Sequence, residues 1–449
     1  MIKIAFEDPL YGYKGGVREF LEKAGVKIGD RVKVIRKDLA VKGVLMPRPS
    51  LSEKPFIVVK LDNGYNIGIR FEKDIVLKKI GEEKPPKPYH PSITVKKNPN
   101  LPNVAIISTG GTIASRVDYR TGAVYPALRT EDILEFAPEI MGIANIEAEI
   151  LFSIFSENMT PKHWSRMAEE VAKKIEEGFD GVVIPHGTDT MGYTAAALSF
   201  ALRNLPITVA LVGAQRSSDR PSSDAAMNLY SAVLVAGKAP FAEVVVVMHG
   251  ETSDTYCLVH RGTKVRKMHT SRRDAFRSIN DKPLAKVENG KIAILNSIFK
   301  PRREDRAVTL ENRFDEKVAL VKTYPGIHPE IIDFLIDKGY HGIVIEGTGL
   351  GHTPEKLYEP IRRAIEEEIP VVMTSQCIWG RINMNVYSTG RDLLALGVIP
   401  GEDMLPETAL VKLMWVLGKT RNMNEVRKLM LTNIAGEINP RTTFMNYLS

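Results

Sequence analysis

Ile106-Ile107-Ser108-Thr109-Gly110-Gly111-Thr112-Ile113-Ala114-Ser115 is the stretch on which the fold of this chain turns. Val104, Ala105, Ile106 and Ile107 make an apolar run that ends in two glycines flanked by hydroxyls, the pattern of a buried parallel strand stopping in a tight turn. Glycines at such a turn accept backbone conformations closed to other residues and let amide N–H groups approach an oxygen of a bound molecule. Alone, Thr-Gly-Gly-Thr is equally compatible with an ordinary strand-to-loop turn. The rest of the chain decides.

With 449 residues, the chain exceeds one compact core and predicts two or three domains. A net charge of +7 leans basic, which lends only weak support to a nucleic-acid partner. Cys257 and Cys377, the two cysteines, form no CxxC pair, so a disulfide framework is excluded and a reducing, cytoplasmic setting expected. The N-terminus has no apolar segment after a basic start, so no signal peptide is expected, and no apolar run reaches membrane-spanning length.

Residues 1–80 read as a small β-barrel accessory domain. Short β-type runs at 31–35, 43–46, 56–61 and 65–69 are separated by turn residues, with Asn63-Gly64 a hairpin signal. A helix is expected over 17–24. Residues 81–100, proline-dense and charged, read as a linker. From there strands alternate with helices, the signature of an α/β fold with parallel sheets. A large α/β domain is expected over 101–305, with strands at 104–107, 181–185, 207–212 and 244–248 and helices at 162–177 and 194–203. A smaller α/β domain with a helical tail is expected over 306–449, with strands at 318–322, 342–345 and 371–374.

Two further segments carry chemistry. His186-Gly187-Thr188-Asp189-Thr190 follows the strand at 181–185, and ligands in α/β sheets sit beyond the carboxyl ends of strands. A hydroxyl beside a carboxylate there suits positioning of water or proton relay, although Thr and Asp are also good helix caps. A long polar loop after His249-Gly250 runs to Lys267-Met268-His269-Thr270 and Asp274-Ala275-Phe276. A lysine in a partly buried site can serve as a base. Together these segments suggest a nucleophilic Thr, a Thr-Lys-Asp relay and backbone donors for an oxyanion, the set for acyl transfer from an amide. No Gly-x-Ser-x-Gly elbow and no HxxxH or Cys/His spacing is present, so no metal site is expected.

In this order, Thr109-Gly-Gly-Thr112-Ile-Ala, His186-Gly-Thr-Asp-Thr-Met191 and Lys267-Met-His-Thr with Asp274-Ala-Phe276 resemble the bacterial-type L-asparaginase and glutaminase family over roughly residues 103–418. The resemblance implies an L-asparaginase-like two-domain α/β core. It implies Thr112 as nucleophile, Tyr125 as the lid tyrosine that activates or orients it, and Thr188, Asp189 and Lys267 as the second catalytic group. Ser156 would hold the substrate α-carboxylate, with Asp189, Glu157 and Gly111 completing the substrate site; Glu157 stands where many members have Gln.

The preceding barrel and linker resemble the arrangement in archaeal-type tRNA-dependent amidotransferases. That resemblance implies hydrolysis of glutamine or asparagine to supply ammonia to a partner E subunit. No cofactor is then expected in this chain, because the partner uses ATP and Mg²⁺ and binds tRNA(Gln). A homodimer within a heterotetramer is implied. The alternatives are a stand-alone cytoplasmic L-asparaginase, and a nucleotide- or nucleic-acid-binding module suggested by the basic charge and Gly347-Thr-Gly-Leu-Gly351. That loop falls short of GxGxxG because His352 takes its last position.

Overall fold

The computed structural model describes residues 8–37, 39–48, 55–62, 66–72, 74–82, 97–111, 113, 115–117, 124–126, 137–217, 222–305 and 307–442. Helix α1 (Gly15–Lys23) precedes strands β1 (Asp30–Arg36), β2 (Leu39–Leu45), β3 (Phe56–Leu61), β4 (Asn66–Arg70) and β5 (Val76–Glu82). They form an antiparallel sheet in the order β4-β3-β2-β1-β5. Val32 and Val34 point into a core with Tyr13, Leu21, Ile57 and Val59, while the alternate residues face outward, as a half-buried sheet requires. The expected barrel is not closed among the described residues, since β4 and β5 are both edge strands. Asn63-Gly64 lies outside the described residues, but the pairing of Lys60 with Asn66 is that of a hairpin.

The large α/β unit contains, in order, β6 (Asn103–Ser108), β7 (Ser115–Val117), β8 (Val124–Pro126), β9 (Asn145–Ile150), α2 (Pro161–Glu176), β10 (Gly181–Pro185), α3 (Met191–Ala201) and β11 (Leu202–Arg203). It continues through β12 (Thr208–Val212), α4 (Ala225–Lys238), β13 (Val244–His249), β14 (Tyr256–Arg261), β15 (Val265–Lys267), β16 (Phe276–Ser278), β17 (Ala285–Glu288), β18 (Lys291–Ile294) and β19 (Thr309–Leu310). Its main sheet has the order β18-β17-β14-β13-β12-β10-β6-β9. Strands β9, β6, β10, β12 and β13 are parallel; β14, β17 and β18 extend the sheet antiparallel. The chain leaves β6 toward β9 on one side, then returns through β10 to run toward β12 on the other. The order therefore reverses between β6 and β10, and the crevice at a reversal is where α/β sheets bind ligands.

The smaller unit contains β20 (Val318–Lys322), α5 (Glu330–Asp337), β21 (Gly342–Gly347), α6 (Tyr358–Glu366), β22 (Val371–Ser375), α7 (Ser388–Leu396), β23 (Ile399–Pro400), α8 (Pro406–Leu417) and α9 (Met423–Leu431). Its four strands are parallel, in chain order. Helices α3 and α8 are apolar on nearly every side because each is enclosed between a sheet and the other helix. Trp415 of α8 stacks on Phe200 of α3 with ring centroids 5.8 Å apart, and one hydrophobic core runs through both units.

After α9 the chain doubles back as a strap across the two units. Arg203 and Lys300 of the large unit donate to the Ile434 carbonyl at 3.1 and 2.9 Å, and Thr263 Oγ1 donates to the Ala435 carbonyl at 3.1 Å. The buried Glu437 carboxylate accepts the Ile434 N–H and pairs with Lys412 of α8 at 2.6 Å. Lys264 and Asp403 form a second buried pair between the units at 2.8 Å. Among the described residues no helix is long and apolar enough to cross a membrane.

Candidate active site

The turn after β6 rests on the turn after β10. Thr109 donates both its N–H and its hydroxyl to the Pro185 carbonyl, at 3.0 and 2.9 Å, which ties the ends of the two strands together. Gly110 and Gly111 follow with φ of +106° and +82°. A Cβ on Gly111 would lie 2.5 Å from the Gly187 nitrogen, and one on Gly187 would lie 2.7 Å from Ser156 Cβ. Both glycines are therefore required by close approach, Gly111 also by its left-handed backbone. The three loops carrying Gly111, Gly187 and Ser156 meet at the sheet reversal.

Lys267 reaches this junction from β15, which is held by β16. Its ammonium donates to Thr188 Oγ1 at 2.9 Å and to Asp189 Oδ1 at 2.8 Å. The lysine side chain is 13% exposed and that of Asp189 68%, so the pair spans from the protein interior to the open crevice. The hairpin beyond Lys267 is stiffened by Asp274, whose carboxylate takes hydrogen bonds from Arg272 at 2.8 and 2.9 Å and from Arg277 at 2.8 Å. Those contacts, Arg272 foremost, hold the Asp274 carboxyl down at about 2.

Behind the crevice, His186 is completely buried, and burial pushes its imidazole down to about 4. Its Nδ1 faces the Gly187 carbonyl at 2.6 Å. A carbonyl only accepts, so Nδ1 carries the proton and Nε2 accepts from Thr194 Oγ1 at 2.9 Å. Trp164 Nε1 donates to the same Thr194 hydroxyl at 3.1 Å. This neutral relay, running Trp164 to Thr194 to His186 to Gly187, fixes the peptide on which Gly111 sits. Tyr193, in the first turn of α3, is raised to about 12 by burial, with Glu407 adding to the effect.

Gly111, Ser156, Thr188, Asp189 and Lys267 thus come together at one sheet edge, with the exposed Glu157 beside Ser156 in a short 3₁₀ turn. Thr112 lies outside the described residues, between Gly111 and Ile113. Tyr125 is at the middle of β8, paired through its backbone with Arg116, and its side chain is outside what the structure describes. The capping reading of the Thr-Asp-Thr segment does not hold: Thr190 precedes α3 without a side-chain cap and donates to the Ser156 carbonyl at 2.7 Å instead. The segment read as one long polar loop contains β14 and β15. Its polarity misled because His260 and Arg261 are buried within a strand, Arg261 paired with Glu243 and Asp281.

Sequence reasoning did not single out the relay partners Trp164 and Thr194. It also missed Asp224, whose buried carboxylate accepts the N–H groups of Gln215 and Arg216 and so pins the loop after β12. No local signal marked Asp224, because the N–H groups it accepts lie eight and nine residues earlier and it caps no helix with its side chain. For Trp164 and Thr194 there was none, since their meeting is a tertiary event.

The pattern of matches to known proteins follows the same division of the chain. Residues 103–300 match the family model described as asparaginase, N-terminal, and residues 317–430 match the glutaminase/asparaginase C-terminal domain. Residues 26–80 match the model of the GatD N-terminal domain. Over 437 residues, 96% of this chain and 99% of the other, the chain is 60% identical to the D subunit of the glutamyl-tRNA(Gln) amidotransferase of Pyrococcus abyssi. The chain belongs to this family of amidotransferase D subunits. A second D subunit, from Thermococcus kodakarensis, is 56% identical over 442 residues, covering 97% of this chain and all of the other. Among solved structures, the thermostable L-asparaginase from Thermococcus kodakarensis matches with a TM-score of 0.68 at 36% identity. It covers 76% of this chain and 100% of its own. L-asparaginase I from Vibrio cholerae matches with a TM-score of 0.67 at 30% identity, covering 76% of this chain and 99% of that one. The chain therefore joins an asparaginase-like core to an N-terminal domain of the GatD type.

Proposed function

We propose that this chain is the ammonia-producing subunit of a tRNA-dependent amidotransferase, hydrolysing the side-chain amide of glutamine, or of asparagine, through an acyl-threonine. The observation that carries the reading is the Lys267–Thr188–Asp189 cluster, seated against the glycine turn that leads into Thr112. Thr112 Oγ attacks the amide carbon, and its proton passes through the Thr188 hydroxyl to Lys267, which acts in its amine form at this step. The carbonyl oxygen gains charge that N–H groups of the glycine turn stabilise. The C–N bond breaks, the leaving nitrogen takes a proton and departs as ammonia, and a γ-glutamyl ester remains. Water then adds to the ester carbon, giving up its proton to the same pair, and glutamate leaves with Thr112 regenerated. Tyr125 closes over the nucleophile, Ser156 holds the α-carboxylate, and Asp189 faces the α-amino group with Glu157 beside it.

The ammonia goes to a partner E subunit that converts Glu-tRNA(Gln) to Gln-tRNA(Gln). ATP and Mg²⁺ serve that step, so this chain needs no cofactor. A homodimer within a cytoplasmic heterotetramer fits the reading. The rival, a stand-alone asparaginase, draws on the complete coverage of the Thermococcus enzyme; the N-terminal domain at 26–80 favours the subunit. The test is ammonia release from glutamine and from asparagine, by the chain alone and with the E subunit and Glu-tRNA(Gln). Strong stimulation by the complex supports the subunit reading, and fast hydrolysis of free asparagine by the isolated chain overturns it.

A further inference from the structure

Charge is not spread evenly along this chain. Residues 1–100 carry 21 of its 61 Lys and Arg and 12 of its 54 Asp and Glu, a net +9, which leaves the remainder at −2. The asparaginase-like core is thus faintly acidic, and the whole basic excess lies in the N-terminal domain and linker.

Within that domain the excess is laid out in a row. Lys33 of β1 pairs directly with Lys42 of β2 on one side and with Lys78 of β5 on the other. Residues directly opposite in a sheet share a face, so three ammonium groups stand side by side across three strands spaced about 4.8 Å apart. Like charges placed opposite one another destabilise a sheet. Lys42 and Lys78 are exposed and Lys33 is half-buried between them, and among the described residues none of the three meets a carboxylate. The nearby acids are engaged elsewhere: Asp62 with Arg31, Glu72 with Arg36 and Asp30 with Lys79. The next row on the same face is apolar, with Ile35 between Ala40 and Val76.

Resting on the reading that the chain serves a tRNA-dependent enzyme, we infer that the Lys42–Lys33–Lys78 row of the N-terminal sheet binds the phosphate backbone of RNA directly. Flexible, unpaired lysines suit phosphates as point charges, a polyanion relieves their mutual repulsion, and the segregated +9 draws RNA to this end of the molecule. The flat Ile35–Ala40–Val76 row then lies against the sugar edge of the same strand of RNA. An acidic protein face is the competing occupant. It is the weaker fit because the lysines lack the bidentate arginine geometry that carboxylate recognition favours.

The test uses the full chain and an unmodified tRNA(Gln) transcript, with binding followed by fluorescence anisotropy over a series of salt concentrations. The triple variant Lys33→Ala, Lys42→Ala, Lys78→Ala should bind roughly ten- to a hundred-fold more weakly at low salt, and its plot of log affinity against log salt should be shallower by about 2. The corresponding triple Lys→Arg variant should restore binding, and amide hydrolysis by the chain should be unchanged in both. Unaltered affinity and slope in the alanine variant overturn the inference. So does a loss confined to poly-glutamate, used as a probe of an acidic protein face. A chain that binds RNA through these lysines yet hydrolyses no glutamine even with the E subunit and Glu-tRNA(Gln) would sink the proposed function and leave this inference standing.

Discussion

Replacing Gly111 with alanine tests the architecture of the crevice more sharply than removing any charged group. The residue has φ of +82°, and left-handed backbone costs a side-chain-bearing residue about 1–2 kcal/mol. The new Cβ would stand 2.5 Å from the Gly187 nitrogen, where ordinary contact begins at 3.4 Å, so the two loops must part by 0.9 Å, the difference. Overpacking of this kind costs about 1–3 kcal/mol, and a displacement near 1 Å between reacting groups costs about 10²-fold in rate. The Gly111 turn leads into Thr112, and the Gly187 turn leads into Thr188 and Asp189. On the proposed function, the shift therefore falls on the distance between the proposed nucleophile and its relay. Gly111→Ala should lower kcat/KM for ammonia release from glutamine about 100-fold, mostly through kcat, with a lowered melting temperature but a folded chain. A folded variant within about twofold of the parent kcat/KM would refute the claim that these two turns set the catalytic distance.

Lys267→Met and Thr188→Val should each reduce amide hydrolysis by about 10²–10⁴-fold. Amidation driven by added ammonia should survive in the assembled complex, and parallel loss of both reactions there would show that the cluster does something else. Glu437→Gln leaves Lys412 buried without its counter-charge, at a cost of about 3–5 kcal/mol in denaturant unfolding, whereas the double change Lys412→Met, Glu437→Leu should recover much of it. His186 is held at about 4 against an ordinary value near 6.5, so its contribution is complete above pH 6.5 and is lost as pH falls toward 4. That loss is about 3 kcal/mol, and His186→Gln should flatten the acid limb of a stability-versus-pH curve over that window. His260, pushed down to about 3 by burial, adds a slope of the same sign that the variant retains.

What could be read from the sequence was local. The strands at 181–185 and 318–322 and the helix at 423–431 lie at the residues expected, because each is an uninterrupted apolar or amphipathic run bounded by clear stops. Helix α4 was not anticipated: Ala225–Lys238 is apolar almost throughout, and a helix enclosed on most sides shows no stripe to betray its period. The neighbourhood of the candidate site was half legible. Hydroxyls and a carboxylate at the ends of apolar strands announced β6 and β10, but nothing local separated Lys267 from the other cations. Its place depends on β15 and β16 pairing far from either motif, which only the family resemblance supplied. The neutral His186 relay was invisible for the same reason. Its donors come from helices α2 and α3, whose sequences mark them only as core.

The strap formed after α9 has a consequence for how the molecule is made. Its contacts with Arg203, Lys300 and Thr263 join a late segment to a unit synthesised long before it. During translation the core shared through α3 and α8 and the Lys264–Asp403 pair can join the two units first, and only the strap's own ties wait for residues 434–439 to emerge. A message cut short just before that segment would thus yield two nearly complete α/β units in which Lys412 lacks its Glu437 partner while Lys264 keeps Asp403. A product lacking the strap therefore carries an uncompensated buried charge at the seam between the two units.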